Sequence, residues 1–180
     1  ADDRGIVLVF DECTSGFRET NAGICKKYNI EPDIIVFGKT LGNGYAITAV
    51  VGRKTVMEAA KDSFISSTFW TERIGSAAAL KALEVMEREK SWERISDIGV
   101  DVRAGLSELA GHYDLDISFT GIPALTTFSF GSQNESAYKT LITQEMLKHG
   151  YLATNLIYTS LAHTPQVLQG YFEALNLVFP

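Results

Sequence analysis

Two short apolar segments, each followed by a charged side chain, constrain the fold of this chain more than any other feature. Residues 6–10 (IVLVF) end at Asp11, and residues 33–37 (DIIVF) end at Gly38 and Lys39. Apolar runs of this kind, rich in Ile and Val, are typical of strands that are buried on both faces of a parallel sheet. The sequence therefore predicts two neighbouring strands whose carboxyl ends carry Asp11 and Lys39.

The segments around these strands predict α/β architecture. Residues 21–29 favour a helix and residues 47–51 (ITAVV) favour a third strand, which gives strand, helix and strand in succession. A tight loop is expected at residues 42–44 (GNG), because glycine permits positive φ and close approach of the backbone. Residues 54–61 favour a short helix, and 74–89 favour a long one rich in Ala, Leu, Glu and Lys.

The last third of the chain changes character. Residues 124–130 (ALTTFSF) alternate, which favours a strand with one exposed face, and residues 136–149 favour a helix that ends before a glycine. The other predicted elements are a helix at 92–109, short strands at 151–153 and 156–160, and a final helix that begins with the cap Thr164 and Pro165. This succession predicts a small α+β domain.

We place the domain boundary near Ser91. A partial large domain, with a mostly parallel sheet and helices, is expected at 1–91, and the small domain at 92–180. The sequence starts at Ala1, close to a predicted strand, and stops in a helical pattern at Pro180. These ends predict that the chain is a piece of a longer protein.

Composition and charge argue against several classes of function. The 180 residues carry a formal net charge of −6, and Lys and Arg form no basic stripe of the kind that marks nucleic-acid binding. No stretch approaches the roughly 18 apolar residues of a membrane span. The three histidines lack metal-ligand spacing, and Cys13 and Cys25 match no zinc or redox motif, which favours a reducing, cytoplasmic setting. We therefore expect no metal, nucleic-acid or membrane partner.

Asp11 and Lys39 are the candidate catalytic residues. The carboxyl ends of parallel strands meet at one edge of a sheet, where open α/β sheets bind their ligands. The two residues are 28 positions apart (39 − 11), the length of one helix-and-strand unit. A lysine amine can form a Schiff base with a carbonyl compound. Taken alone, Asp11 fits a helix N-cap or a surface charge better than a functional role, and Lys39 fits an ordinary surface lysine better.

Three segments give the sequence its resemblance to a known family. They are LVFDECTSGFR at 8–18, PDIIVFGKTLGNGY at 32–45 and SSTFWTERIGSAAALKAL at 66–83. In order, spacing and strand context they resemble the class III aminotransferases, pyridoxal-phosphate enzymes of fold type I that include glutamate-1-semialdehyde aminomutase. The resemblance implies a pyridoxal 5′-phosphate cofactor, a partial fold type I large domain and a C-terminal α+β small domain.

The resemblance also implies separate roles for the two central residues. Asp11 matches the aspartate that pairs with the pyridinium nitrogen and keeps it protonated, so that the ring can act as an electron sink. Lys39 matches the lysine that forms the internal aldimine and then moves a proton between the substrate Cα and C4′ of the cofactor. Both residues are therefore expected to be catalytic and to bind the cofactor.

Four further residues are implied to bind the cofactor. Cys13 matches a position that packs on the ring face, where the family usually has Val, Ile or Ala. Thr14 occupies the position from which Gln or His touches the ring hydroxyl in many members. Thr68 matches the threonine that reaches the phosphate from the partner subunit, and Ser67 adds a hydroxyl or a backbone N–H there. A homodimer with shared active sites is the implied assembly.

Departures from the family pattern leave alternatives open. Residues 70–73 (WTER) replace the Asn-Pro pair that often follows the phosphate threonine, which resembles aminomutase-like and sugar or polyketide-type members. The family's N-terminal phosphate loop and stacking aromatic ring have no counterpart in these residues. We expect an aminotransferase that moves an amino group between small-molecule amine and carbonyl substrates. The alternatives are an aminomutase of the glutamate-1-semialdehyde type and a non-catalytic fragment.

Overall fold

The structure is a computed structural model that describes the backbone of residues 1–180 and the side chains of all of them except residue 2. Contacts between Cα atoms divide the chain into two units, Ala1–Glu93 and Arg94–Pro180. Each unit contains a three-stranded sheet and its own cluster of buried apolar side chains. In the part of the chain that is described, no helix is both long and apolar enough to cross a membrane.

The N-terminal unit combines a mixed sheet with one long helix. Its elements are β1 (Val9–Glu12), β2 (Ile34–Phe37), β3 (Ala49–Gly52), α1 (Lys54–Met57) and α2 (Ile74–Glu89). The strand order is β1-β2-β3, with β2 parallel to β1 and antiparallel to β3. The antiparallel pairing follows from the short connection between β2 and β3, because a parallel neighbour requires a longer crossover.

Several predictions for this unit are confirmed. The long helix expected at 74–89 is α2, and the short helix expected at 54–61 is α1 continued by a 3-10 turn. The tight loop expected at 42–44 has a φ of 45° at Asn43 and of 102° at Gly44. These elements are the ones whose local composition determines their conformation.

Strand β1 begins later than predicted. The strand expected at 6–10 is wrong at both ends, since β1 runs from Val9 to Glu12. The backbone N–H of Leu8 donates to Oδ2 of Asp33 at 2.8 Å, so ladder pairing with β2 starts only at Val9. Burial on both faces is also wrong, because Val9 is 52% exposed.

The helix predicted at residues 21–29 is wrong as well. In the described structure this segment forms only a 3-10 turn, Ile24–Lys26. The backbone N–H of Cys25 donates to Oε1 of Glu12 at 3.1 Å, and a φ of 53° at Asn29 ends the turn. A contact with a distant residue, Glu12, therefore decides the conformation of this segment.

The apolar core of the N-terminal unit lies between the sheet and α2. Its buried side chains are Phe17, Phe37, Leu41, Ala79 and Met86. Ala79 and Met86 are about two turns apart on α2 and therefore share one face of the helix. The rings of Phe17 and Phe37 lie 5.0 Å apart between centroids, so the segment after β1 packs onto the end of β2.

The C-terminal unit has the predicted α+β composition. Its elements are α3, which begins just before the unit (Ser91–His112), β4 (Ile117–Thr120), β5 (Leu125–Phe130), α4 (Glu135–Lys148), β6 (Leu156–Tyr158) and α5 (Pro165–Val178). The strands are antiparallel in the order β4-β5-β6. Phe128 on β5, Leu106 on α3 and Leu175 on α5 are fully buried in the cluster that joins the sheet to the helices.

The predicted cap of α5 and the glycine after α4 are confirmed, one predicted strand is wrong, and one strand of the sheet was missed. Thr164 caps α5 through its Oγ1, which accepts a hydrogen bond from a backbone N–H at 3.3 Å, and Gly150 follows α4 at a φ of 87°. The strand predicted at 151–153 is wrong, because the N–H of Tyr151 donates to the carbonyl oxygen of Met146 and closes the end of α4. Strand β4 was not predicted from the sequence.

Candidate active site

Asp11 and Lys39 meet at one edge of the first sheet. Asp11 lies in β1 opposite Val36 of β2, and Lys39 follows Gly38 directly after β2 ends. The parallel pairing of the two strands therefore brings together residues that are far apart in the sequence. The charge of Lys39 is close enough to contribute to the lowered pKa of Asp11.

The turn after β1 keeps Asp11 ionised. Oδ1 of Asp11 accepts a hydrogen bond from the backbone N–H of Cys13 at 3.0 Å. This bond is the largest cause that lowers the pKa of Asp11; the Cys13 thiol and, to a smaller extent, the charge of Lys39 act in the same direction. An exposed carboxylate that stays anionic can bind a protonated ring nitrogen.

Lys39 begins a 3-10 turn, Lys39–Leu41, immediately after Gly38. Its φ of 33° is in the left-handed region, which costs a non-glycine residue about 1–2 kcal/mol, and such conformations concentrate at functional sites. The Nζ atom of Lys39 donates a hydrogen bond to Oγ1 of Thr14. The side chain is exposed, so that the amine is accessible to a ligand.

Gly38 allows Cys13 to lie against the start of this turn. A Cβ atom added at Gly38 would lie 3.3 Å from Sγ of Cys13 and 3.5 Å from Cγ2 of Thr48, which leaves no spare room. The hydrogen bond between the Cys13 thiol and Asp11 raises the pKa of Cys13, so the thiol stays neutral. A neutral thiol is a packing group here rather than a nucleophile.

Ser67 and Thr68 lie on a separate, exposed loop before α2. Oγ of Ser67 accepts a hydrogen bond from the backbone N–H of Phe69 at 3.3 Å. Among the residues that the structure describes, no hydrogen bond or ion pair joins this loop to Asp11 or Lys39. The structure thus groups the predicted site residues on β1 and after β2, and leaves these two apart.

Glu72 fixes the C-terminal end of that loop to α2. Its Oε2 and Oε1 accept hydrogen bonds from the backbone N–H groups of Gly75 at 2.9 Å and Ile74 at 2.5 Å. These bonds lower the pKa of Glu72, and the positive end of the helix dipole favours a carboxylate at this place. The loop that carries Thr68 is therefore anchored at the first turn of a long helix.

Glu12 is a buried carboxylate that sequence reasoning missed. It is 1% exposed, and it lies on the face of β1 opposite to Asp11, because consecutive side chains in a strand alternate. Its oxygen atoms accept hydrogen bonds from Oγ of Ser15 at 2.6 Å and from the backbone N–H of Cys25 at 3.1 Å. Two carboxylates, Asp11 and Glu12, are adjacent in the sequence, and only one of two consecutive strand residues can face the site. This adjacency could have indicated that the other carboxylate points to the opposite face of the strand.

No metal centre is formed by the side chains that the structure describes, because no group of three His, Cys, Asp or Glu residues is placed to hold an ion. His163 instead accepts a hydrogen bond at Nδ1 from the backbone N–H of Ser160 at 2.9 Å. The ring of His112 packs edge-on against Tyr113, with 4.7 Å between centroids. Both histidines have local structural contacts.

The sequence matches one family over most of its length. The family is described as aminotransferase class-III, and the match covers residues 1–164. This range includes β1, β2 and the loop before α2, which carry all of the predicted site residues.

Two curated relatives have the same level of identity. A 3-aminobutyryl-CoA aminotransferase from Cloacimonas acidaminovorans (strain Evry) is 31% identical over 176 residues, which cover 91% of this chain and 42% of the relative. A glutamate-1-semialdehyde 2,1-aminomutase from Methanococcoides burtonii is 31% identical over 157 residues, which cover 84% of this chain and 36% of the relative. The chain therefore spans less than half the length of these relatives.

The solved structure of the FumI protein from Sphingopyxis sp. MTA144, in its PLP internal aldimine form, has the same fold. It matches with a TM-score of 0.92 at 28% sequence identity, and the match covers 99% of this chain and 44% of that one. The likeness confirms the fold class that the sequence predicts, a partial large domain of the α/β type followed by a small α+β domain.

Proposed function

The chain belongs to the class III aminotransferases, and on that premise we propose that it serves the pyridoxal-phosphate-dependent transfer of an amino group between an amine and a carbonyl compound. One observation carries the proposal. A carboxylate, Asp11, and a primary amine, Lys39, meet at one edge of a sheet and are held there by hydrogen bonds to the turn after β1. Neither residue has another evident task in the fold.

The grouped residues fit the functional groups of the cofactor. The lowered pKa of Asp11 keeps the carboxylate in the form that a protonated pyridine nitrogen requires. Lys39 presents an exposed amine, the group that reacts with an aldehyde. The neutral thiol of Cys13 suits the apolar face of the ring, and the Thr14 hydroxyl is a hydrogen-bond partner for a polar ring substituent.

When bound, pyridoxal phosphate supplies an electron sink for the negative charge that develops at the substrate α-carbon. Asp11 would keep the ring nitrogen protonated, because its charged carboxylate can accept a hydrogen bond from that nitrogen. The Nζ atom of Lys39 would take the proton from the substrate Cα as a base and later give it up as an acid. Thr14 keeps the amine within reach between these steps, since its Oγ1 accepts a hydrogen bond from Nζ.

We assign Ser67 and Thr68 to the phosphate site of the partner subunit in a homodimer. Three observations support this arrangement: the loop is exposed, it is anchored to α2 by Glu72, and it lacks hydrogen bonds to the site of its own chain within the described residues. Its neighbours Phe69 and Trp70 are 55% and 67% exposed. Large exposed aromatic side chains on such a loop favour a protein interface.

The aminomutase is the second candidate function. It is favoured by the identity of 31% to the aminomutase from M. burtonii, whereas the aminotransferase from C. acidaminovorans has the same identity over more of this chain. Both reactions need the same proton transfers by Lys39. Incubation with a single substrate separates them, because an aminotransferase stops after it releases one carbonyl product, whereas an aminomutase converts that substrate into its isomer.

Uptake of pyridoxal phosphate by the purified chain tests the proposal. We expect the wild type to gain the visible absorbance of lysine-bound cofactor, and Lys39→Ala to lose it. Lys54→Ala is the matched control, since Lys54 is an exposed lysine on α1, and it should behave as the wild type does. A wild-type chain that takes up no cofactor would overturn the proposal for this chain and favour a non-catalytic fragment.

A further inference from the structure

Glu12 is a buried acidic side chain to which the proposed function gives no task. Its carboxylate is 1% exposed and lies beneath the strand that presents Asp11 on its other face. Burial of a charged group is costly unless hydrogen bonds satisfy it. In the described part of the chain, hydrogen bonds rather than an ion pair satisfy both oxygen atoms, so these partners indicate what Glu12 does.

The two oxygen atoms hold both ends of the segment that follows β1. Oε2 accepts a hydrogen bond from Oγ of Ser15 at 2.6 Å, and Oε1 accepts one from the backbone N–H of Cys25 at 3.1 Å. The segment between Ser15 and Cys25 is therefore folded back over the carboxylate. The side chain of Glu12 therefore ties Ser15 and Cys25 to the end of β1.

Two glycines in this segment allow the close approach. A Cβ atom added at Gly16 would lie 2.7 Å from the carbonyl oxygen of Glu12 and 2.8 Å from the ring of Phe37, and one added at Gly23 would lie 2.8 Å from Oε1 of Glu12. The N–H of Gly16 also donates to the carbonyl oxygen of Glu12 at 2.9 Å. The backbone is thus packed around Glu12 with no space for another side chain.

We propose that Glu12 is a positioning residue, which holds the turn at residues 13–15 against β1 so that this turn meets Asp11 and Lys39. The turn lies between Glu12 and Ser15, and the hydrogen bond from Ser15 to the Glu12 carboxylate joins these two residues. The turn therefore cannot shift unless that hydrogen bond opens. That the held turn serves a cofactor site rests on the proposed function. The positioning itself requires no cofactor and can be measured without one.

The reactivity of Cys13 reports the position of the turn. While the turn is in place, the thiol is half-buried and its hydrogen bond to Asp11 raises its pKa, and both effects slow alkylation. A turn released from Glu12 exposes the thiol and returns its pKa to the ordinary range. Mass spectrometry of the digested protein separates the rate at Cys13 from the rate at Cys25.

Alkylation by iodoacetamide at a fixed pH tests the inference in three variants. Glu12→Leu removes both hydrogen bonds, and we expect it to raise the rate at Cys13 about tenfold. Glu12→Gln should stay close to the wild type, because the amide can accept one hydrogen bond and donate to the Ser15 hydroxyl. Glu31→Leu is the control, since that glutamate is exposed, and its rate should be unchanged.

A second variant keeps the inference testable if Glu12→Leu does not fold, as judged by circular dichroism. Ser15→Ala removes only the hydrogen bond to Oε2, and we expect the rate at Cys13 to rise about threefold. The inference is overturned if the rate at Cys13 in the folded variants equals that of the wild type, or if Glu12→Gln behaves like Glu12→Leu. If these rates change as expected while the wild type takes up no pyridoxal phosphate, the positioning role stands and the proposed function fails.

Discussion

The backbone N–H of Cys13 lies 3.0 Å from Oδ1 of Asp11, and this hydrogen bond joins the end of β1 to the turn that follows it. It has two consequences for the candidate site. It is the largest cause of the lowered pKa of Asp11, and it holds Cys13 next to Gly38, the residue that precedes Lys39. The carboxylate and the lysine are therefore arranged by backbone geometry before any ligand binds.

Asp11 should stay ionised at a lower pH than an ordinary aspartate. Because its pKa is lower in the folded than in the unfolded chain, its stabilising effect is present above the ordinary aspartate pKa and is lost as the pH falls through the lowered value. The ¹³C shift of its carboxyl carbon, followed by NMR during an acid titration, measures this pKa. Titration near the ordinary value of about 3.9 would contradict the role of the Cys13 N–H.

The variant Cys13→Ala provides the control for that titration. It removes the thiol but keeps the backbone N–H, which is the larger of the two hydrogen-bond effects on Asp11. We therefore expect the pKa of Asp11 to remain lowered, by less than in the wild type.

A methyl group at Gly38 should disturb the site. The added Cβ would lie 3.3 Å from Sγ of Cys13, and we expect Gly38→Ala to weaken cofactor uptake and to lower the free energy of unfolding by about 1 kcal/mol. Gly111→Ala is the matched change on α3, where a Cβ meets nothing within 4 Å. It should raise the free energy of unfolding by about 0.5–1 kcal/mol. Urea unfolding and absorbance titration check both variants.

Subunit mixing tests the assignment of Thr68 to the partner's site. Lys39→Ala and Thr68→Ala homodimers should each take up little cofactor. If Thr68 serves the partner subunit, random exchange makes half of the dimers heterodimers, and each heterodimer has one intact site and one site with both defects. Uptake should then return to about a quarter of the wild-type value. If Thr68 serves its own chain, every mixed site keeps one defect and the mixture shows no recovery.

The core of the C-terminal unit should depend strongly on Leu106. This side chain is 0% exposed within the cluster of the second unit, so Leu106→Ala is expected to lower the free energy of unfolding by about 2–5 kcal/mol. Val100→Ala on the same helix is the control, because Val100 is 54% exposed, and its effect should stay within about 0.5 kcal/mol. Equal losses in the two variants would contradict the assigned core.

The parts of the fold that could be predicted are those that local sequence determines. The composition of residues 74–89 specifies α2, and the glycines of 42–44 specify a tight loop. The proximity of Asp11 and Lys39 could also be predicted, because both apolar runs end at the same edge once the strands are parallel.

Two of the errors concern segments whose conformation depends on distant partners. The 3-10 turn within 21–29 is held by a hydrogen bond to Glu12, thirteen positions earlier than Cys25 (25 − 12). The start of β1 depends on the side chain of Asp33. Neither contact leaves a periodic pattern in the sequence, and the same holds for the burial of Glu12, which contradicts the usual exposure of glutamate.

The central claim is that the Lys39 amine binds the cofactor covalently, and chemical trapping tests it most directly. The chain is incubated with pyridoxal phosphate, reduced with borohydride, digested and mapped by mass spectrometry. We predict that the reduced cofactor mass is found on the peptide that contains Lys39, and that it is absent from the Lys39→Ala variant. A cofactor mass spread over the other lysines, or an equal yield in Lys39→Ala, would contradict the account.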